Sequence, residues 1–141
     1  MSEARFWKRL RDKLPTGHYV RIENLVGPGT FDVNFCVEGT EGFFEMKYVS
    51  WFPARPSTPV LGRHGLSPEQ MIWVEQRLRA GGRAFMAIGV GNQVFWFPGS
   101  QARELNDFTE SAYTGGAQLK DGAAVQESFR KILQRNSFTR S

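Results

Sequence analysis

A chain of 141 residues, 40% hydrophobic and carrying 12 Phe and 4 Trp, has the length of one compact domain and the apolar bulk for a real core. A single cysteine, Cys36, excludes an intrachain disulfide, and no apolar run approaches the ~20 residues needed to span a bilayer, so no membrane partner is expected. The net charge of +4 hides an uneven spread: residues 1–21 hold six basic and two acidic side chains, residues 128–141 four basic and none acidic, and residues 22–127 eight basic against twelve acidic.

The first expected element is a helix over residues 2–14, with Ser2 as its N-cap. Glu3, Trp7, Leu10 and Leu14 recur on one stripe with Phe6 alongside. The basic residues Arg5, Lys8, Arg9, Arg11 and Lys13 fill the other faces and interrupt any apolar leader, which argues against a secretion signal. With no disulfide framework, a cytoplasmic protein is the expectation. Pro15 and Gly17 stop the helix. Tyr19–Leu25 reads as a strand, Gly27-Pro28-Gly29 as a breaker, and Phe31–Val37 with Gly42–Val49 as a hairpin. Residues 51–66, rich in Pro and Gly, read as an irregular loop. Ser67, Pro68 and Gln70 announce a helix with a capping box, whose stripe is Met71, Val74 and Leu78 and whose end is Gly81-Gly82. Arg83–Val90 and Gln93–Phe97 flank Gly91-Asn92 as a second hairpin. Ser100 is expected to cap a short helix to about Phe108, residues 109–120 to form a loop, and Asp121 to cap a final helix with Val125, Phe129 and Ile132 inward. This order predicts one α/β domain, bordering on α+β, with a central mixed sheet. Residues 2–108 would form its core, and 109–141 would add a loop and a basic helix.

The first hairpin admits a geometric test. If Gly39-Thr40 is its two-residue turn, Asp32 faces Lys47 and Asn34 faces Glu45. Side chains alternate along a strand, so all four then share one face, with Asp32 and Glu45 as diagonal neighbours roughly 7–8 Å apart at Cα. The other face would carry Phe31, Val33, Phe35, Phe44, Met46 and Tyr48. Two carboxylates and an ammonium group beside an apolar sheet suit phosphodiester hydrolysis. Mg²⁺ prefers oxygen ligands and takes one or two protein carboxylates, leaving water in its other positions. The lysine can orient that water or offset charge in the transition state. The same residues would equally serve as the polar side of an amphipathic hairpin.

The segment Gly29-Thr30-Phe31-Asp32-Val33, followed by Gly42-Phe43-Phe44-Glu45-Met46-Lys47, resembles the PD-(D/E)xK nuclease superfamily. Within it, the chain is similar to small phage and bacterial VRR-NUC and Holliday-junction-resolvase-like nucleases. The lead-in Arg21-Ile22-Glu23-Asn24 and the stretch Leu66–Trp73 share the likeness, which covers roughly residues 2–97. The resemblance implies a restriction-endonuclease-like mixed sheet flanked by helices. It also implies metal ligation by Asp32, Glu45 and the Met46 backbone carbonyl, and a catalytic Lys47. Glu3 would match the helical glutamate of many members, and Gln70 the glutamine on the helix after the E-x-K strand. Phe31 stands where the family name has proline. Mg²⁺, with Mn²⁺ as substitute, would be the cofactor, and DNA, branched DNA included, the substrate; a homodimer would suit a junction with two symmetric strands.

The DNA backbone would be gripped by Arg5, Lys8 and Arg9, by Arg21, by Arg55 and Arg63 of the loop, and by Arg130, Lys131, Arg135 and Arg140, since cations displace the condensed counterions of a polyanion. Several residues admit a second reading. Gln70 suffices as the partner of Ser67 in the capping box, Glu3 as a helix-dipole charge, and Arg21 as the partner of Glu23. His18 and His64 are too isolated to suggest zinc, Cys36 alone makes no thiolate site, and Cys36 reads as a small packing residue. Trp51 and Phe52 either stack on bases or join the core. A non-catalytic DNA-binding module on a nuclease fold, and a phage assembly component, are the alternative functions.

Overall fold

Two tight turns and one helical crossover set the order of the sheet. The computed structural model describes residues 2–22 and 27–138, the last four of them by backbone alone. In chain order the elements are α1 (Glu3–Arg11), β1 (His18–Arg21), β2 (Val33–Val37), β3 (Thr40–Val49), α2 (Pro68–Arg79), β4 (Ala84–Val90), β5 (Gln93–Pro98), α3 (Ala102–Leu105), β6 (Ala117–Gln118) and α4 (Gly122–Phe138). The six strands lie side by side in that order. All neighbours are antiparallel except β3 and β4, which run parallel because α2 carries the chain back between them. The expected α/β domain with a mixed sheet is therefore what the chain forms.

Every residue of β4 is buried, as a central strand covered on both faces requires. On one face, α1 and α4 deliver Phe6, Trp7, Leu10, Val125, Phe129 and Ile132 onto Val33, Phe35, Phe44 and Met46. On the other, α2, α3 and the segment around Val60–Leu66 cover Met86, Ile88, Val90 and Phe97. Among the described residues, no helix is long and apolar enough to cross a membrane.

Several elements differ from their sequence expectation. Helix α1 ends at Arg11, three residues before the expected Leu14, and Leu14 stays buried beyond the helix. Strand β1 ends at Arg21, and residues 23–25 of the expected strand Tyr19–Leu25 lie outside the described residues. The β2–β3 turn is Glu38-Gly39, not Gly39-Thr40. Both turn residues have positive φ, 51° and 81°, and Val37 pairs with Thr40. That is the hairpin turn whose twist matches the strands. It would force positive φ on the β-branched Thr40 if shifted by one. Phe31 does not share a face with Val33, because β2 begins at Val33; Phe31 crosses to the other core and stacks on Trp73 at 4.9 Å. Cys36 is exposed on β2 and is not the packing residue expected. Ser100 caps no helix: a 3-10 turn over Gly99–Gln101 leads into α3, which ends at Leu105. The expected loop 109–120 contains a 3-10 turn and the two-residue β6, too short for periodicity to show. Asp121 does cap α4, its Oδ1 accepting from Ala123 and Ala124 N–H at 3.1 and 3.2 Å.

Phe44 sits at the centre of the α1/α4 core, with ring neighbours Trp7, Phe35, Trp96 and Phe129 within 6.4 Å. Phe44→Ala is expected to lower unfolding stability by about 3–5 kcal/mol, the range for emptying such a site. A denaturant titration showing a loss under about 1 kcal/mol would contradict this packing.

Candidate active site

Val33 pairs with Phe44, two residues from the expected register, and Asp32 lies just before this last pair, next to Glu45. A shift of two preserves which face each side chain takes, so the two carboxylates still converge. Asp32 no longer faces Lys47, and Asn34 faces Phe43 instead of Glu45, its Nδ2 donating to the Gly42 carbonyl at 3.1 Å. The Asp32 backbone N–H leaves the strand ladder and donates to Glu45 Oε1 at 3.0 Å, while its carbonyl accepts from Ile22 N–H at 2.6 Å. Asp32 is thus held between β1 and β3.

Two helices bring the remaining groups. Trp73 of α2 stacks on Phe31 and meets Phe43 edge-on at 5.2 Å, so the helix is clamped to the residues flanking Asp32 and Glu45. One turn earlier on α2, Gln70 completes the capping box, its Oε1 accepting from Ser67 N–H, and its Nε2 donates to Glu45 Oε2 at 2.9 Å. The structural and the site geometry of Gln70 coexist because an amide has two ends. On the opposite face, Phe6 and Trp7 anchor α1 against Tyr48 and Phe44, which delivers Glu3, in the helix's first turn, to Asp32. Ser2 caps that turn through the Arg5 N–H. One contributor was not singled out from the sequence. Gly29 has φ +87°, and a Cβ there would strike the Glu69 carbonyl. This close approach fits the segment before Asp32 against the first turn of α2, and a glycine so near a candidate ligand was the available signal.

The outcome is one acidic cluster. Carboxylate oxygens of Glu3, Asp32 and Glu45 all lie within 4.8 Å of one another, the only such group of metal-binding residue types among the described residues. Glu45 is 2% exposed. Lys47 Nζ stands 3.5 Å from Glu45 Oε2, with 22% of its side chain in solvent. Desolvation raises the Glu45 pKa, opposed by the Lys47 charge. Asp32 is pushed up to about 6, first by desolvation, with the Glu45 charge adding to it. Glu3 is pushed up to about 7, first by desolvation, then by the hydrogen bond and charge of Asp32, although the residue as a whole is exposed. With all three ionised, Asp32 Oδ2 is buried without a donor. A shared proton or a cation satisfies it. All-oxygen, multiply charged donors are the set a hard divalent ion prefers, so the residues fit such a metal.

The expected basic residues divide into near and far. Arg21 lies close enough for its charge to favour ionised Glu3. Arg5, Lys8 and Arg9 sit on α1, Arg9 donating to Asn92 Oδ1 at 3.4 Å. Arg55 and Arg63 are exposed between β3 and α2. Arg130 and Lys131 of α4 pair instead with Glu38 at 3.0 Å and Glu127 at 3.2 Å. Glu38 is six residues beyond Asp32, roughly 20 Å along a strand, so the structure does not bring those two cations to the cluster. The Arg135 side chain, Glu23, Asn24 and Arg140 lie outside the described residues.

No family model and no curated protein matches the chain. Among solved structures, Hjc, a Holliday junction resolvase from the archaeal hyperthermophile Archaeoglobus fulgidus, superposes with a TM-score of 0.55. The alignment covers 86% of this chain and 94% of that one, at 19% identity. The fold is the resolvase fold. Its mixed sheet and flanking helices are shared with Hjc across nearly the whole length of both chains, while the sequences have diverged far.

Raised carboxyl values have a consequence for stability. The folded state holds protons that the unfolded chain has already released, so without metal the stability is greatest below the ordinary carboxylate range. It is lost as pH rises through the folded values of about 6 and about 7. The metal-free protein is expected to melt at lower temperature at about pH 8 than at about pH 5. Asp32→Asn should flatten that slope. A melting temperature that rises over the same interval would contradict the assignment.

Proposed function

We propose that the protein is a divalent-metal-dependent nuclease that hydrolyses DNA phosphodiester bonds, with branched DNA as its substrate class. The observation that carries this reading is the convergence of Glu3, Asp32 and Glu45, with Lys47 beside them, on one point of a resolvase fold. The resemblance of Gly29–Val33 and Gly42–Lys47 to PD-(D/E)xK nucleases supports it from the sequence.

In this reading Asp32 and Glu45 hold the ion, the Met46 carbonyl adds a neutral oxygen, and Glu3 completes the acidic side. Mg²⁺ is the natural occupant of such a site and Mn²⁺ a substitute. When bound, the ion would acidify a water and offset negative charge on the phosphoryl oxygens. The chain's own groups supply the rest. Gln70 and the Asp32 amide each hold one oxygen of Glu45, so its carboxylate is aimed before substrate arrives. Lys47, anchored by Glu45 yet open to solvent, orients the attacking water and offsets charge as the pentacovalent state forms. Arg21, beside Glu3, takes a phosphate of the same strand. Arg5, Lys8, Arg55 and Arg63 add sequence-independent attraction to the backbone. A junction offers two symmetric strands, and a two-fold homodimer would present one such site to each.

Purified protein incubated with branched, linear duplex and supercoiled DNA in Mg²⁺ or Mn²⁺ is expected to cut, fastest on the branched substrate, and EDTA to stop it. Lys47→Ala and Asp32→Asn should each lower the rate at least about 10²-fold with the melting transition retained. Cleavage that survives both substitutions would refute the assignment, as would its complete absence from folded wild type under all these conditions.

A further inference from the structure

The loop that follows β3 carries a feature the acidic cluster does not explain. Trp51 is 77% exposed, while its neighbour Phe52 is pinned edge-on between Phe95 at 5.9 Å and Tyr113 at 5.7 Å. The loop is fastened by one aromatic ring and displays the next, as a stable stacking platform needs. Beside it opens a cleft of about 500 Å³ lined by Phe52, Pro56, Phe95, Tyr113, Gln93 and Glu110, among others. Tyr113 is buried to 6% exposure, yet its hydroxyl has no partner among the described residues.

Position and chemistry narrow the ligand. Trp51 is four residues beyond Lys47, at most about 14 Å along the chain, and so within a few nucleotides of the acidic cluster. Aromatic walls with a polar rim suit a flat group with polar edges. Glu110 at the rim repels a phosphate but accepts from the exocyclic amino group of a base. Arg55, exposed in the same loop, can meet the backbone that follows. A protein interface fits less well. Val20 lies on the sheet row of Ala84, at the other end of β3, and Ile72 lies on α2, so the exposed large apolar side chains form no single patch. One indole contributes at most about 250 Å², against roughly 800 Å² per partner in a stable complex.

Resting on the nuclease reading, we infer that Trp51 is the stacking platform of a nucleobase subsite, which takes an unpaired base of the DNA whose backbone meets Asp32 and Glu45. Stacking on an aromatic ring is tolerant of base identity, so the subsite selects for unpaired structure over sequence.

The test is equilibrium binding of full-length protein to a fluorescent duplex and to the same duplex carrying an unpaired single-stranded flap, with Ca²⁺ in place of Mg²⁺. Trp51→Ala is expected to weaken flap binding about 5- to 100-fold, leave duplex binding within twofold, and leave the sedimentation coefficient unchanged. Trp51→Phe should recover most of the loss. Equal loss on both DNAs, or loss on neither, overturns the subsite while leaving the nuclease reading intact. A dimer-to-monomer shift caused by Trp51→Ala also overturns it, in favour of an interface with a second copy. Failure of wild type to bind either DNA sinks the nuclease reading itself, and the subsite with it.

Discussion

A carboxylate placed inside a β-sheet loses its water, and the fold has to return hydrogen bonds and countercharge in the same place. Glu45 receives them from three directions: the Asp32 amide just before β2, Gln70 on α2, and Lys47 two residues along its own strand. Each of these partners belongs to a different piece of structure, so the burial of one side chain ties two strands and a helix to one point. Asp32 and Glu3 then bring further negative charge to a site already short of solvent. The raised values of all three carboxyls record that strain.

The packing around the cluster follows from the same demand. Phe31, Phe43 and Trp73 form a small aromatic clamp whose members sit beside Asp32, Glu45 and Gln70 in sequence, and Arg77 closes it at 4.9 Å from the Phe43 ring. On the other face, Phe6 and Trp7 fix the helix that delivers Glu3. The acidic groups are therefore held by two separate cores, one on each side of the sheet. That is the arrangement by which a site keeps its geometry while its charge changes.

Much of this was legible in the sequence because strand parity tolerates error in steps of two. The hairpin register was misplaced, yet Asp32 and Glu45 still fell on one side, since a shift of two residues changes neighbours and not faces. The turn is Glu38-Gly39 and not Gly39-Thr40, because a β-branched Thr40 disfavours the positive φ that both turn residues take. Ser67, Pro68 and Gln70 declared their helix fully, because a capping box is a local device. The second bond of Gln70, to Glu45, depends on a contact between residues 25 apart and has no local signature. The same holds for Phe31, whose departure from the face of Val33 is decided by Trp73, and for β6, which exists only as a partner of β5. The pairing of Arg130 with Glu38 likewise spans 92 residues, beyond any reading of charge runs.

The central claim is that three acids converge to hold a cation, and a crystal grown with Mn²⁺ addresses it most directly. An anomalous difference map should show a peak in contact with the carboxylates of both Asp32 and Glu45. A map with no peak there, from ordered crystals at millimolar Mn²⁺ and about pH 8, above the folded values of Asp32 and Glu3, would contradict the account.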